Sequence, residues 1–177
     1  MFAQRSTPRT KSLVYLLPEH PGFVLRHVQT DDVISLHDNC FSDYDTSLVQ
    51  NLVSRIKQLG QRRRGAGMVV VHRATQEIVG YGQVVRWGDK AEISDLIVAE
   101  SLRGHGLGTQ LVNHLIESAR HLNIKSLEIG VLDQNDGAHR LYQRLGFVDA
   151  YSTFMRLGGE MEKVIYLQMP MTICASV

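Results

Sequence analysis

Apolar positions along the chain switch between a spacing of two and a spacing of three to four, and the switches mark out its elements. Phe23-Val24-Leu25-Arg26-His27-Val28 reads as a strand, and Thr30-Asp31-Asp32 as the N-cap signal of a helix carrying Val33, Ile34 and Leu36. A second helix is expected from about Thr46 through Leu59, with Leu48, Leu52, Val53 and Ile56 on one face and Gly60 at its end. Between these helices lies Phe41-Ser42-Asp43-Tyr44-Asp45, a short acidic and aromatic loop. Met68 to Arg73 and Ile78 to Trp87 are β-branched runs joined by Ala74-Thr75-Gln76-Glu77, the pattern of a hairpin. Ala91 to Val98 is a further strand, and its end, Leu96-Ile97-Val98, is apolar on both faces, which places it centrally in a sheet.

The period then lengthens. Leu107, Leu111, Val112, Leu115, Ile116, Ala119 and Leu122 repeat at three to four residues and define a helix with one buried face. Lys125 to Leu132 returns to alternation, with Leu127, Ile129 and Val131 set against Glu128 and Gly130. A last helix carries Ala138, Leu141, Tyr142 and Leu145 and stops at Gly146. Phe147 to Leu157 and Lys163 to Met169 form a hairpin turning near Gly158-Gly159. The order β-α-α-β-β-β-α-β-α-β-β is that of a mixed α/β chain with one crossover helix in the middle. Residues 1–20 read as an N-terminal tail (the first ten polar and loose) or an extra strand, and 21–177 as a single domain.

Composition changes this picture little. The 177 residues are 44% hydrophobic and 21% charged, ordinary for a soluble globular protein. A net charge of +1 gives no strong field towards nucleic acid or membrane, and Arg62-Arg63-Arg64 reads as an exposed helix-terminal charge run. Cys40 and Cys174 lie far apart without metal-ligand spacing, which fits reduced thiols and a cytoplasmic location. The start has no apolar run of signal-peptide length, and no stretch approaches the roughly 20 apolar residues of a membrane span. His105, His114, His121 and His139 read as surface residues, so no metal is expected.

The richest segment is Arg103-Gly104-His105-Gly106-Leu107-Gly108-Thr109, which joins an apolar strand to an amphipathic helix. Glycine permits positive φ and close approach of a ligand to the main chain, while the helix N-terminus offers unpaired N–H groups. Together they suit phosphate oxygens. A Walker A loop would need lysine before Thr109, where Gly108 stands, and a dinucleotide fingerprint would need glycine or alanine at position 109. Coenzyme A and an ordinary tight turn are the other readings.

Val98, followed by Arg103-Gly104-x-Gly106-Leu107-Gly108, resembles the acetyl-CoA motif of the GNAT superfamily of N-acetyltransferases. Asn135-x-x-Ala138-x-x-Leu141-Tyr142-x-x-x-Gly146-Phe147 is similar to that family's later motif. The resemblance spans roughly residues 22–170 and is strongest from Glu92 to Phe147; Glu100 departs from it where many members place proline. It implies a GNAT-type three-layer α/β/α fold. Its central, mostly antiparallel mixed sheet would be splayed between the fourth and fifth strands, here Ala91–Val98 and Lys125–Leu132.

The resemblance also implies a set of site residues. Leu96, Ile97 and Val98 would bond the cofactor through their backbone, and Arg103, Gly104, His105, Gly106, Leu107, Gly108 and Thr109 would cradle its pyrophosphate. Asn135 would touch the cofactor or cap the last helix. Acetyl transfer to an amine of pKa about 10.4 requires removal of a proton, an oxyanion donor and an acid for the departing thiolate. Tyr142 is expected as that acid and as a cofactor contact; packing on Leu141 and Leu145 is its structural alternative. Glu92 is the expected base. The acid that some members carry on the fifth strand falls at Gly130, and Glu128 shares that face two residues earlier. Asp95 is a further candidate, on strict alternation facing away from Glu92. A water chain without a dedicated base is the other option.

Asp43, Tyr44 and Asp45 would suit a cationic amine through charge and cation–π contact, or would simply be a solvated loop. The reading is thus an N-acetyltransferase moving acetyl from acetyl-CoA to a primary amine, small molecule or peptide, in a ternary complex. Rival readings are a catalytically silent acyl-CoA sensor or scaffold and a dinucleotide-binding protein. Homodimers are common in such folds, and these residues do not decide the point.

Overall fold

The computed structural model describes residues 13–171. Eight strands form one sheet: β1 (Val14–Leu16), β2 (Phe23–His27), β3 (Gly65–His72), β4 (Ile78–Trp87), β5 (Lys90–Val98), β6 (Ser126–Leu132), β7 (Val148–Leu157) and β8 (Glu160–Pro170). The spatial order is β1-β2-β3-β4-β5-β6-β8-β7, and every neighbouring pair is antiparallel except β5–β6. That parallel pair needs a crossover, which α3 (Leu107–Arg120) supplies. The other helices are α1 (Val33–Cys40), α2 (Thr46–Gln61) and α4 (Asp136–Arg144). The mixed sheet between helical layers is the expected architecture, with β1 added within residues 1–20. The expected loose tail of the first ten residues, and Cys174, lie outside the described residues.

Strand alternation divides the core in two. On one face Met68, Val70, Val84 and Ile93 meet Leu107, Leu111, Leu115 and Ala119 of α3. On the other, Val69, Val71, Tyr81 and Val85 meet Leu36, Val53 and Ile56 of α1 and α2. The first two helices therefore cover β3 and β4, and leave β6 to β8 open on that face. Cys40 belongs to the second core, and burial pushes its thiol up to about 11.

The Thr30-Asp31-Asp32 segment folds as a single 3-10 turn leading into α1. Asp32 stands at the N-cap position of α1, as the N-cap signal predicts, but its side chain makes no capping bond to that helix. Its carboxylate is instead drawn back to β2, where Arg26 grips it with two 2.7 Å bonds and the Gln29 N–H adds a third at 2.7 Å. A carboxylate at 5% exposure requires such a partner, and the same group also closes the capping box of the 3-10 turn through the Gln29 N–H.

Candidate active site

β5 and β6 pair only from Lys90↔Ser126 to Ile93↔Ile129 and part beyond that point. The sheet is therefore splayed between the two strands expected to splay. A cleft of about 880 Å³ enters there, lined by Leu96, Ile97 and Val98 of β5, the glycine turn, the start of α3, and one face of α4. A second cavity of about 220 Å³ lies between the parted strands and shares Leu96, Asn135, Ala138 and Tyr142 with the first.

The turn has the conformation that its glycines permit. Gly104 and Gly106 take φ of 76° and 85°, and Gly106 stands at the N-cap of α3 in the left-handed region. A Cβ at Gly106 would also meet the His20 ring at 3.1 Å, so a side chain there would be strained by the backbone and would need that ring to give way. Arg103 lines the cleft, and its Nε donates to the Val98 carbonyl at 3.0 Å. Gly108 and Thr109 line it as well. His105 is exposed outside the lining, and Leu107 turns into the core at 1% exposure. Asn135 caps α4, its Oδ1 accepting from the Ala138 N–H at 3.1 Å, while lining both cavities. The two roles weighed against each other are thus compatible.

Tyr142 is buried on α4, edge-on to Phe147, and lines both cavities. Burial pushes its phenol up to about 12, so it stays protonated at neutral pH. Among the described residues its hydroxyl has no hydrogen-bond partner, although the ring packs as the structural alternative anticipated.

The sequence of the Acetyltransferase (GNAT) family matches residues 30–147, more than half of the chain. The chain belongs to that GNAT family. An uncharacterized N-acetyltransferase of Methanocaldococcus jannaschii is 42% identical over 57 residues, covering 32% of this chain and 25% of that protein. Streptothricin acetyltransferase of Streptomyces lavendulae is 29% identical over 103 residues, covering 55% of this chain and 54% of that one. The chain spans about half or less of the length of the curated relatives it matches. Its fold is similar to a GNAT-superfamily phosphinothricin acetyltransferase from Sinorhizobium meliloti in complex with acetyl-CoA. The TM-score is 0.71 at 15% identity, over 85% of this chain and 89% of that one. The cleft has the features that would suit acetyl-CoA: two left-handed glycines and a helix N-terminus that could take pyrophosphate oxygens, and facing edges of β5 and β6 that are unpaired with each other beyond Ile93 and Ile129.

On the face left open by α1 and α2, the GNAT sheet gathers its acids. Glu92 and Glu128 are register partners across β5 and β6. Burial pushes Glu128 up, but hydrogen bonds from Lys90 (2.6 Å), Tyr151 (3.1 Å) and Gln168 (2.6 Å) prevail and hold it low. Saturated in this way, it is a poor proton acceptor. Glu92 is half-buried, and its hydrogen bond comes from the Tyr166 hydroxyl at 3.4 Å. Burial raises its carboxyl above the usual range, Tyr166 opposes this, and Glu128 and Asp95 add to it. At Gly130, a Cβ would lie 3.2 Å from Val164 and 3.3 Å from the Tyr166 ring. The aromatic from β8 packs tightly against the space that an acid on this strand would use.

Asp95 corrects the alternation argument. β4 pairs Gln83 with Ser94 but Tyr81 with Ile97, so one extra residue is inserted in β5. Asp95 absorbs the bulge at φ 53°, and its carboxylate turns to the same face as Glu92. There Oδ2 accepts from Gln83 Nε2 at 2.6 Å and from the Ser94 hydroxyl at 3.0 Å. Gln83 is 5% exposed, and its Oε1 accepts from the buried Tyr81 hydroxyl at 3.1 Å. Burial, then the Asp95 charge, push the Tyr81 phenol up against the opposing influence of Arg55. Neither Gln83 nor Tyr166 was singled out in the sequence; only strand pairing brings them here.

Asp43, Tyr44 and Asp45 are exposed in the α1–α2 loop. Asp45 caps α2, accepting from the Ser47 N–H at 2.7 Å, and that bond lowers its carboxyl. The rings of Tyr44, Phe41 and Tyr81 contact one another edge-to-face at 5.7 and 5.9 Å, leading from this loop towards Gln83. Among the described residues, no group of three or more His, Cys, Asp or Glu is placed to hold a metal ion, and no helix is long and apolar enough to cross a membrane.

Proposed function

We propose that this GNAT acetyltransferase acetylates a primary amine, in a ternary complex that the amine enters from the open face of β5 and β6. The observation that carries the reading is the inter-strand cavity. It shares Tyr142 with the cleft and takes Asp95 of the acidic face into its lining. When bound, acetyl-CoA supplies the acetyl thioester. The glycine turn binds phosphate oxygens through backbone N–H groups, and Leu96 to Val98 hold the pantetheine arm alongside β5. Glu92, raised by burial, takes one proton from the acceptor ammonium, which frees the nitrogen lone pair to attack the thioester carbon. As the carbon–sulfur bond breaks, the Tyr142 phenol donates a proton to sulfur. It recovers one from the nitrogen as the amide forms. Glu92 then releases its proton to solvent, so each turnover yields amide, thiol and one proton.

Thiol release from acetyl-CoA with a panel of polyamines, aminoglycosides, amino acids and short peptides tests the reading. Amine-dependent release is expected. In Tyr142→Phe, kcat should fall about a hundredfold with the KM for acetyl-CoA little changed. Tight acetyl-CoA binding without amine-dependent release would favour the silent sensor, and full turnover by Tyr142→Phe would remove the acid from the mechanism.

A further inference from the structure

We infer that Asp95 is the residue that holds the acceptor's ammonium group, at the mouth of the cavity between β5 and β6. The inference rests on the amine-acceptor reading above and divides the labour within it: Asp95 binds, and Glu92 moves the proton.

Three observations separate the two carboxylates. First, Asp95 lines the 220 Å³ cavity together with Tyr142, whereas Glu92 lies outside that lining. Second, Asp95 is oriented from behind. Both described bonds fall on Oδ2, from Gln83 and Ser94, which leaves Oδ1 for a ligand. The Gln83 amide is itself fixed, because its oxygen is committed to Tyr81 in the core. Third, none of the ion pairs among the described residues engages Asp95, whereas Glu128 on the same face is paired with Lys90. A carboxylate held at one oxygen by neutral donors and bordering a cavity is complementary to a cation. An ammonium offers it a charge-assisted hydrogen bond.

The backbone supports the same reading. A non-glycine residue at φ 53° inside a strand is uncommon; aspartate and asparagine tolerate it about equally, and only glycine adopts it freely. Aspartate gains nothing there conformationally over asparagine; what distinguishes it is the charge. The bulge that sets this backbone is also what turns the side chain onto the acceptor face.

The test is binding as well as turnover. Spermidine and n-butylamine, each as the ammonium, are titrated calorimetrically into CoA-saturated wild type, Asp95→Asn and Glu92→Gln, with 1-butanol as the uncharged control. Asp95→Asn should weaken ammonium binding about tenfold to a hundredfold, the worth of a hydrogen bond to a charged group. Glu92→Gln should weaken it by less than about threefold, and 1-butanol should not distinguish the three proteins. In turnover, the loss in Asp95→Asn should fall on the acceptor KM, and that in Glu92→Gln on kcat. Asparagine suits this backbone, so the variant is expected to fold, with unchanged affinity for CoA and an equal or higher melting temperature. Equal ammonium binding by Asp95→Asn and wild type, a larger binding loss in Glu92→Gln, or no ammonium binding by wild type would overturn the assignment. Asp95-dependent binding without amine-dependent thiol release would instead overturn the proposed function and leave the cation site standing.

Discussion

The two halves of the sheet are built on opposite terms. In β4 every residue from Ile78 to Val85 is buried, and helices cover both faces. In β7, at the far edge, all ten residues are exposed, Phe154 and Val148 among them. Between these extremes β5 and β6 bury the face towards α3 and leave the other face polar. The difference shows where a protein of this size can place chemistry. The doubly covered half fixes the geometry of its neighbours, and the singly covered half leaves a face and an internal strand edge open to ligands.

Stability measurements can break this comparison. The largest effect is expected for Met68→Ala in β3, at 1% exposure, which should cost about 2–5 kcal/mol in denaturant unfolding. A cost below about 1 kcal/mol would mean that the covered half is not the rigid one.

Glu92→Gln sharpens the boundary between the halves, because stability and activity should move in opposite directions. Burial holds the folded carboxyl above its unfolded value, so its stabilising contribution is complete below the ordinary carboxylate range. That contribution is lost as pH rises through the raised value. Above it, the charged form is a net burden that glutamine removes. The variant should melt about 1–3 °C higher at neutral pH, with the gain fading towards about pH 4, while kcat drops about a hundredfold. A lower melting temperature at neutral pH would contradict the burial argument. The smallest effect belongs to Phe154→Ala in β7, where 66% exposure predicts a change of about 0.5 kcal/mol or less.

Periodicity carried the sequence reading a long way, and its failures share one cause. The helices over Val33–Cys40, Thr46–Gln61 and Leu107–Arg120 follow from local spacing, as does the glycine turn, whose φ values only glycine adopts readily. What escaped depends on pairing with distant residues. Strict alternation put Asp95 on the wrong face because the bulge is set by the register against β4, which a strand's own residues do not encode. The crowding at Gly130 comes from Tyr166 on β8, and the partner of Asp32 comes from β2 rather than from the helix it precedes. Side-chain capping was legible at Asn135; at Asp32 the start of the helix was legible, but the Arg26 partner of its side chain was not.

The Tyr166 ring lying across Gly130 also bears on how such a site can change over generations. A side chain introduced at position 130 would need the ring and Val164 to give by a few tenths of an ångström, and removing the ring would strip Glu92 of its hydrogen bond. The cost of a change at either position therefore depends on the residue at the other, as expected for touching residues. Positions 130 and 166 are therefore expected to change together rather than one at a time.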